Sequence, residues 1–499
     1  MKNIDIDYDF KKEKKKIIPL MREFAERCTG CGLCVEHCVF HDYSRKDGRQ
    51  IMKEIKRFVL SKKLDTKLSK KTRKFIWSCG ICEHCNNWCP LPEDKKIPRS
   101  PMMVLLRGLL VIKDDAPLII RFLRRFIFKD IDNPILEGLW PIVAKLLVPN
   151  WFDNDKLLMK ERLEIEKARL YPKKGAEICL FGGCGHTFAM PDTVYSITSI
   201  LKEAGDDYIT IGHPKFCCGV IYIVMGYLTL WLKQTYSVMK NYLELNPRPQ
   251  KIILHCPGCY TIYQFDLSKY NLILPLNYLK KMQEPMEMLH VTEYILQLIK
   301  EKKIELKNKL PMKAVYNDNC SLGRRRKGVG EPIYDQPREV LNNIPGLQLF
   351  ELEKNRDDSY CCGLIATKTQ GMGKDLHIIH KDKGYKIQRE MYEEMLEQDI
   401  ENLVTPCMGC GIIFEDSARF WSSKLGRKVK IIDFADLVNE SMGKKVPQRN
   451  FSLNNLFQLS MPFIKLSALK ILPRLVKTYA FKDIIGFIWK ILRYLLKRS

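Results

Sequence analysis

Long uncharged apolar runs are missing from this chain: none reaches 18 residues, so a membrane-spanning helix is not expected. The first residues, MKNIDIDYDFKKEKKK, contain no apolar stretch of the kind that directs secretion, which points to a reducing cytoplasm. Acidic residues are almost absent from the last segment, where 441–499 holds 12 Lys/Arg against 1 Asp/Glu. Strands that interleave aromatic and basic side chains are absent too, so no nucleic-acid partner is expected. The disordered and low-complexity classes are excluded by a hydrophobic content of 46%. A length of 499 residues leaves room for about three domains.

The formal charge of +25 is concentrated at the two ends, with +10 in residues 1–75 and +11 in 441–499. Such a balance suits an anionic membrane surface or anionic substrates. In 480–499, Lys482, Lys490, Arg493 and Lys497 form a polar stripe opposite Ile484, Ile485, Ile488, Ile491, Leu492 and Leu495. A basic amphipathic helix of this kind can lie in a membrane interface. The insertion at 102–148, with RFLRRFIFK and LWPIVAKLL, has similar character.

What the chain does have is cysteine, and 18 of its 19 cysteines fall into four sets. The run C-x2-C-x2-C-x3-C occurs as Cys28, Cys31, Cys34, Cys38 and again as Cys79, Cys82, Cys85, Cys89. In two-cluster ferredoxins the first three cysteines of such a run hold one [4Fe–4S] cubane and the fourth ligates the other. On that pattern Cys28, Cys31, Cys34 and Cys89 bind one cubane, and Cys79, Cys82, Cys85 and Cys38 bind the second. Pro90 follows the second run as expected, whereas Val39 follows the first. A pair of zinc knuckles is the alternative for eight cysteines. Between the runs, Ile51, Ile55, Phe58 and Leu60 recur at helical spacing among lysines, predicting a helical module.

From about residue 176 the texture changes to short aliphatic runs that end in cysteine: AEICLFGGC, KIILHCPGC, MKAVYNDNC and ENLVTPCMGC. Helical stretches such as 222–244 and 284–303 lie between them, which reads as parallel α/β units. Ligands at the carboxyl ends of strands are where open α/β sheets bind cofactors. Each lobe repeats one order: Cys184, Cys217–Cys218, then Cys256 and Cys259; and Cys320, Cys361–Cys362, then Cys407 and Cys410. Vicinal thiols and a count of five exceed what one zinc or one cubane needs. Cys179 sits mid-strand in an apolar run and is expected to be a buried structural thiol.

These residues resemble the CCG (cysteine-rich) domain of heterodisulfide reductases, matched twice. The order of all four sets resembles the D-type chain of that family over about 21–440. CSLGRRRKG, YDQPREVLNNIPG and NRDDSYCCG resemble the family's second module. GGC, CCGLIATK and NDNCSLGR depart from its commoner PGC, CCGAGGG and DPCHLGR. The resemblance implies a noncubane [4Fe–4S] cluster on Cys184, Cys217, Cys218, Cys256 and Cys259, and another on Cys320, Cys361, Cys362, Cys407 and Cys410. The fold it implies is α+β and multidomain. A basic extension (1–20) precedes a helical ferredoxin-type domain (21–100) and an amphipathic insertion (101–172). Two Rossmann-like CCG lobes (173–307 and 308–442) and a basic amphipathic tail (443–499) follow.

The function implied is that of an iron–sulfur oxidoreductase acting on a sulfur group. Electrons from a membrane cytochrome b-type partner would pass through two cubanes to two noncubane centres, where a disulfide-type substrate is cleaved or formed. The chain would sit at the inner face of the cell membrane, held by its tail. Two neighbouring readings keep the fold. One is an electron relay from a flavin dehydrogenase (glycolate- or glycerol-3-phosphate-oxidase type) to quinone, and the other is a trisulfide reductase component associated with sulfite reduction. A zinc-dependent scaffold is the non-redox alternative. Arg324, Arg338 and Arg356 are candidates for a substrate anion, because guanidinium binds carboxylate, phosphate or sulfonate in a planar fork. His186, His213 and His255 flank cluster cysteines and could carry protons or pack as neutral rings.

Overall fold

The computed structural model describes residues 10–62, 64–92, 95–97, 99–113, 115–117, 174–183, 186, 191–211, 218–228, 230–231, 234–235, 238, 242, 244–262, 287–327, 330–365 and 386–446. The chain divides into two units, 1–117 with 155–452 and 118–154 with 453–499. The second unit lies outside the described residues, as do Cys184, Cys217, His213 and the amphipathic tail from 447 onward. Among the described residues no helix is long and apolar enough to cross a membrane.

The amino-terminal part is helical. Helix α1 (Phe10–Arg27) carries Ile17, Met21, Phe24 and Ala25 at helical spacing, all buried. It runs through residue 20, the bound expected between the extension and the ferredoxin-type domain. The short α2 (Leu33–Glu36) follows the first cysteine loop. Helix α3 (Arg45–Leu60) starts at Ser44, whose hydroxyl accepts from the Asp47 amide while the Asp47 carboxylate accepts from the Ser44 amide. This reciprocal cap fixes the first turn. Ile51, Ile55 and Phe58 face inward as expected, but Leu60 is 41% exposed, because the helix ends there and Val59 takes the inward position. Helix α4 (Lys70–Ser78) leads into the second cysteine loop, and α5 (Arg99–Ile112) closes the group against α1 and α4.

Two four-stranded parallel sheets follow. Strands β1 (Ile178–Phe181), β2 (Tyr208–Ile211), β3 (Lys251–Leu254) and β4 (Glu287–His290) are ordered β2-β1-β3-β4. Strands β5 (Met312–Tyr316), β6 (Leu347–Phe350), β7 (Asn402–Thr405) and β8 (Lys430–Asp433) repeat the pattern as β6-β5-β7-β8. The last three residues of the central strands β1, β3, β5 and β7 are all buried, because both faces of a parallel sheet are covered.

Helices complete the units: α6 (Pro191–Glu203), α7 (Val220–Val224), α8 (Pro257–Thr261), α9 (Val291–Lys300), α10 (Asp335–Asn342), α11 (Lys386–Glu397), α12 (Met408–Leu425) and α13 (Phe434–Ser441). A single apolar core joins the two sheets. Val194, Ile197 and Leu201 of α6, Ile295 and Leu298 of α9, Val340 and Leu341 of α10, and Leu437 and Val438 of α13 all belong to it. Polar bonds reinforce the seam: Ser196 donates to Asp436, and Asn439 Nδ2 donates to Ser196 O at 2.5 Å.

Two expected helices are corrected. Of 284–303, residues 287–290 form β4, paired residue for residue with β3, and the helix begins only at Val291. Glu287-Met288-Leu289-His290 alternates in exposure, and that period of two was hidden beside the longer helical pattern. The stretch 222–244 is not continuous either: α7 stops at Val224, and the chain turns at Gly226 (φ +79°). The cause is close approach, because a Cβ at Gly226 would sit 2.6 Å from the Arg107 carbonyl carbon.

Candidate functional site

The two ferredoxin-type loops share one backbone device. In CTGCGLC, Gly30 and Gly32 have φ of +72° and +82°. At the matching positions of CGICEHC, Ile81 and Glu83 have φ of +47° and +59°. Left-handed residues alternating with ordinary ones turn successive amide N–H groups into a concavity, a common cradle for iron–sulfur centres. Glycine adopts this conformation freely, whereas side chains there cost about 1–3 kcal/mol each. The second loop is therefore held by its surroundings: Ile81 is 2% exposed, and its carbonyl accepts from Ser100 Oγ at 2.9 Å.

The thiols gather across the two runs. Burial raises the Cys34 thiol, the Arg99 charge lowers it, and Cys28, Cys31 and Cys89 raise it further. Cys38 is held well above the ordinary thiol range by burial and then by Cys79, with Cys82 adding. Cys89 of the second run thus acts on Cys34 of the first, and Cys38 of the first is acted on by Cys79 and Cys82 of the second, with Cys34 near both runs. Cys34, Cys38, Cys79, Cys82 and Cys85 line one cavity with Arg99. Among the described residues no three His, Cys, Asp or Glu side chains close on a point that would hold a single ion. Thiols gathered at one cavity are a donor set that suits an iron–sulfur centre, since soft thiolates select iron–sulfur and similar metals.

In the second sheet, all five cysteines of the fourth set are described and lie together. The Cys361 thiol is held well above its usual range by hydrogen bonding with Cys320, Cys362 and Cys82 and by burial, and the Cys410 thiol likewise by Cys362, Cys407 and burial. Asn319 Nδ2 donates to Cys410 Sγ at 3.2 Å. Cys320 follows β5 and Cys407 follows β7, neighbouring strands whose chains depart in opposite directions. That switch point is where open parallel sheets bind ligands. Cys407 also caps α12, an 18-residue helix whose first turn holds Cys410, so the positive end of its dipole faces the thiols. Gly363 (φ +79°) directly follows the vicinal pair, and a Cβ there would meet Phe40 Cε1 at 3.2 Å. Phe40 also abuts Gly80 of the second loop.

In the first sheet, Cys218, Cys256 and Cys259 form the described part of the third set. Cys259 is raised by its hydrogen bonds to Cys218 and Cys256 and by burial. Gly183 (φ +69°), adjacent to Cys184, places its backbone so that a Cβ would lie 3.0 Å from Cys259 Sγ. The two sheets' sites approach one another, as Thr261 Oγ1 donates to Ser321 O at 2.9 Å. Cys179 is fully buried in β1, and burial pushes its thiol up.

The helical part meets the second sheet thiol to thiol. Cys82 is lowered to about 6, first by its hydrogen bond with Cys361 and, against burial, by the Arg324 charge. Arg324, 2% exposed, donates Nε to Cys82 O at 3.1 Å and Nη1 to Asp357 O, Ser359 O and Ser359 Oγ at 2.9–3.0 Å. Arg107 does the same for the first sheet: buried within α5, it donates to Ile76 O, Cys79 O and Val224 O at 2.7–3.0 Å. An open cleft of about 840 Å³ lies at the first of these junctions, where Cys38, Trp88, Lys327, Lys354, Asp358 and Tyr360 are among its walls.

The three arginines expected to bind an anion take different places. Arg324 is the junction residue just described. Arg338 directs all three guanidinium nitrogens into the protein, to Asp318, Glu351 and Tyr334 O. Arg356, at φ +50°, is the exposed member of the three and pairs with Asp335 at 2.8 Å. His186 and His255 stack with ring centroids 3.6 Å apart. His186 Nδ1 bonds Thr193 Oγ1 at 2.7 Å, and His255 Nε2 lies 3.9 Å from Asp433. Arg99 and Arg107 were not foreseen. The signal was present in RSPMMVLLRGLLVI, where two arginines interrupt an otherwise apolar helix.

Comparison with known proteins finds both cysteine-rich parts. A 4Fe-4S dicluster domain model matches residues 24–92, and a cysteine-rich CCG domain model matches 178–263 and 314–415. The chain is 27% identical over 384 residues to the EtfAB:quinone oxidoreductase of Syntrophomonas wolfei, covering 74% of this chain and 46% of that protein. It is 24% identical over 324 residues to the D-type chain of the dihydromethanophenazine:CoB–CoM heterodisulfide reductase of Methanosarcina acetivorans, covering 63% and 72%. A third relative, the B-type chain of the fumarate reductase (CoM/CoB) of Methanothermobacter marburgensis, is 25% identical over 418 residues, covering 83% and 71%. The match thus spans less than half of the quinone oxidoreductase and about 70% of the other two. With a 4Fe-4S dicluster domain fused to two CCG domains, the chain resembles the D-type chain of heterodisulfide reductase and related iron–sulfur oxidoreductases.

Proposed function

We propose that the chain is the catalytic subunit of a heterodisulfide-reductase-like complex, in which electrons reach two CCG centres through two cubane sites and reduce a disulfide-type substrate. The observation that carries this reading is the thiol contact between Cys82 and Cys361, under the shared charge of Arg324. It sets Cys82 of the second ferredoxin-type run beside Cys361 of the second CCG module. The crossed cubane ligation, Cys28, Cys31, Cys34 with Cys89 and Cys79, Cys82, Cys85 with Cys38, is supported by the thiol groupings. When bound, iron–sulfur clusters supply one-electron transfers, so two CCG centres suit a two-electron S–S cleavage.

The protein's own residues do the rest. Arg107 and Arg324 tie the helical part to the first and second sheets, fixing the distance electrons must cross. The lobes, which we read as Rossmann-like, present both thiol sets from the carboxyl ends of their strands, where the Thr261–Ser321 bond draws the two sites together. The stacked His186 and His255 stand beside the first set, placed to hand protons to product thiolates. The cleft beside Cys38 and Trp88 is the proposed approach for an electron donor of the membrane cytochrome b type. The basic tail would hold the assembly to an anionic bilayer face.

A second reading follows from the relative named as a quinone oxidoreductase, which matches over more of this chain than the heterodisulfide reductase relative does. There the chain relays electrons between a flavoprotein and quinone, and no disulfide reacts. The experiment is anaerobic: the holoprotein, with reduced viologen as donor, is offered a mixed disulfide of two small thiols or a soluble quinone. Release of two thiols per disulfide, abolished in Cys361→Ala, supports the reductase. Quinone reduction without disulfide turnover supports the relay.

A further inference from the structure

Arg99 is a charged side chain in a place that usually excludes charge. It opens α5, is 6% exposed, and lies in the cavity lined by thiols of both ferredoxin-type runs. Its Nη2 is 3.9 Å from Cys89 Sγ and its Nη1 is 3.8 Å from Met102 Sδ. Among the described residues no carboxylate pairs with it. Instead, its charged-group neighbours are sulfurs, Cys34, Cys85, Cys28 and Cys89, of which Cys34 and Cys85 line the same cavity and Cys89 lies 3.9 Å away. Three of these belong to the first proposed cubane set and Cys85 belongs to the second.

A buried cation without a partner costs several kcal/mol, so a nearby negative charge must balance it. Four thiolates around a cubane core leave each centre anionic, and one charge more negative when reduced. We propose that Arg99 is the shared counter-charge of the two cubane sites, stabilising their reduced states and so raising their reduction potentials. Net charge and hydrogen bonds to sulfur are among the levers that set such potentials. Arg99 is a positioning residue in this scheme, since it transfers neither electrons nor protons. The inference rests on the reading of the eight cysteines as cubane ligands.

The test is redox titration of the anaerobic holoprotein, followed by electron paramagnetic resonance, for wild type, Arg99→Met and Arg99→Lys, with iron counted in each. The expectation is full iron loading in Arg99→Met and a fall in at least one cubane potential. The fall should reflect at least a tenfold loss in the reduction equilibrium, about 59 mV for one electron. Arg99→Lys should stay close to wild type. Loss of iron in Arg99→Met but not in Arg99→Lys would also support the counter-charge, because charge and not shape then decides assembly. Unchanged potentials in a loaded Arg99→Met protein would overturn the proposal, as would equal loss of iron in both variants, which is the signature of packing. Absence of any cubane signal in the wild type would refute the cluster reading, and Arg99's role with it.

Discussion

Replacing Arg324 by methionine removes a side chain that reaches from the second CCG lobe to the second ferredoxin-type loop. Its guanidinium serves Cys82 O through Nε and the Asp357–Ser359 turn through Nη1. Asp357 O keeps a donor in Asn87 Nδ2 at 3.2 Å. Cys82 O and Ser359 O lose theirs in a region where Arg324 itself is 2% exposed. A buried group left without a partner costs about 1–3 kcal/mol, so Arg324→Met should destabilise the junction by about 2–6 kcal/mol. Lysine keeps the charge but cannot form the fork, and Arg324→Lys should lose roughly half as much. Denaturant unfolding of the anaerobic holoprotein, followed by cluster absorption, reads this directly. The functional counterpart is slower passage of electrons from cubane to CCG signals in freeze-quench spectra. An Arg324→Met protein within about 1 kcal/mol of wild type, with unchanged transfer, would refute the clamp; the 1 kcal/mol limit is set by the low end of the orphaned-group cost.

Three further outcomes are expected. Gly32→Ala should cost about 2–5 kcal/mol and lower iron, because its Cβ would lie 2.5 Å from Arg49 N at φ +82°. Gly30→Ala, at φ +72° with nothing within 4 Å, should cost about 1 kcal/mol, and calorimetry of the pair separates clash from conformation. Cys179→Ala should leave the iron count unchanged, whereas Cys320→Ala should lower it. His290, pushed down to about 3 by burial, stays neutral in the fold while the unfolded chain protonates it near its usual 6.5. The unfolded state therefore binds more protons between these values. The histidine's contribution is complete above pH 6.5 and is lost as pH falls toward 3, at up to about 1.4 kcal/mol per unit. His290→Asn should flatten the fall in melting temperature between pH 7.5 and 5.5.

The cysteine grammar was legible because iron–sulfur ligation fixes sequence spacing over a few residues, and the strand ends could be read from apolar runs stopping at cysteine. The sheet pairing gave those stops their meaning: β1 with β3 and β5 with β7 bring Cys256 and Cys407 to equivalent switch points. What was not legible were contacts between distant segments. No local pattern announces that Arg107 meets Val224 O or that Arg324 meets Cys82 O, separated by 117 and 242 residues. An arginine with its donors on carbonyls looks, in sequence, like one available to a substrate anion. The period-two strand at 287–290 was lost for a different reason, being only four residues long and abutting a strongly amphipathic helix.

Four thiol sets holding four multi-iron centres are the foundation of every functional step proposed for this chain. Counting iron, acid-labile sulfide and zinc per chain in anaerobically purified protein tests this most directly. About 16 iron with matching sulfide is expected, four irons for each of four centres. About 8 iron, or zinc in the CCG sites, would contradict it and leave the two lobes without redox chemistry of their own.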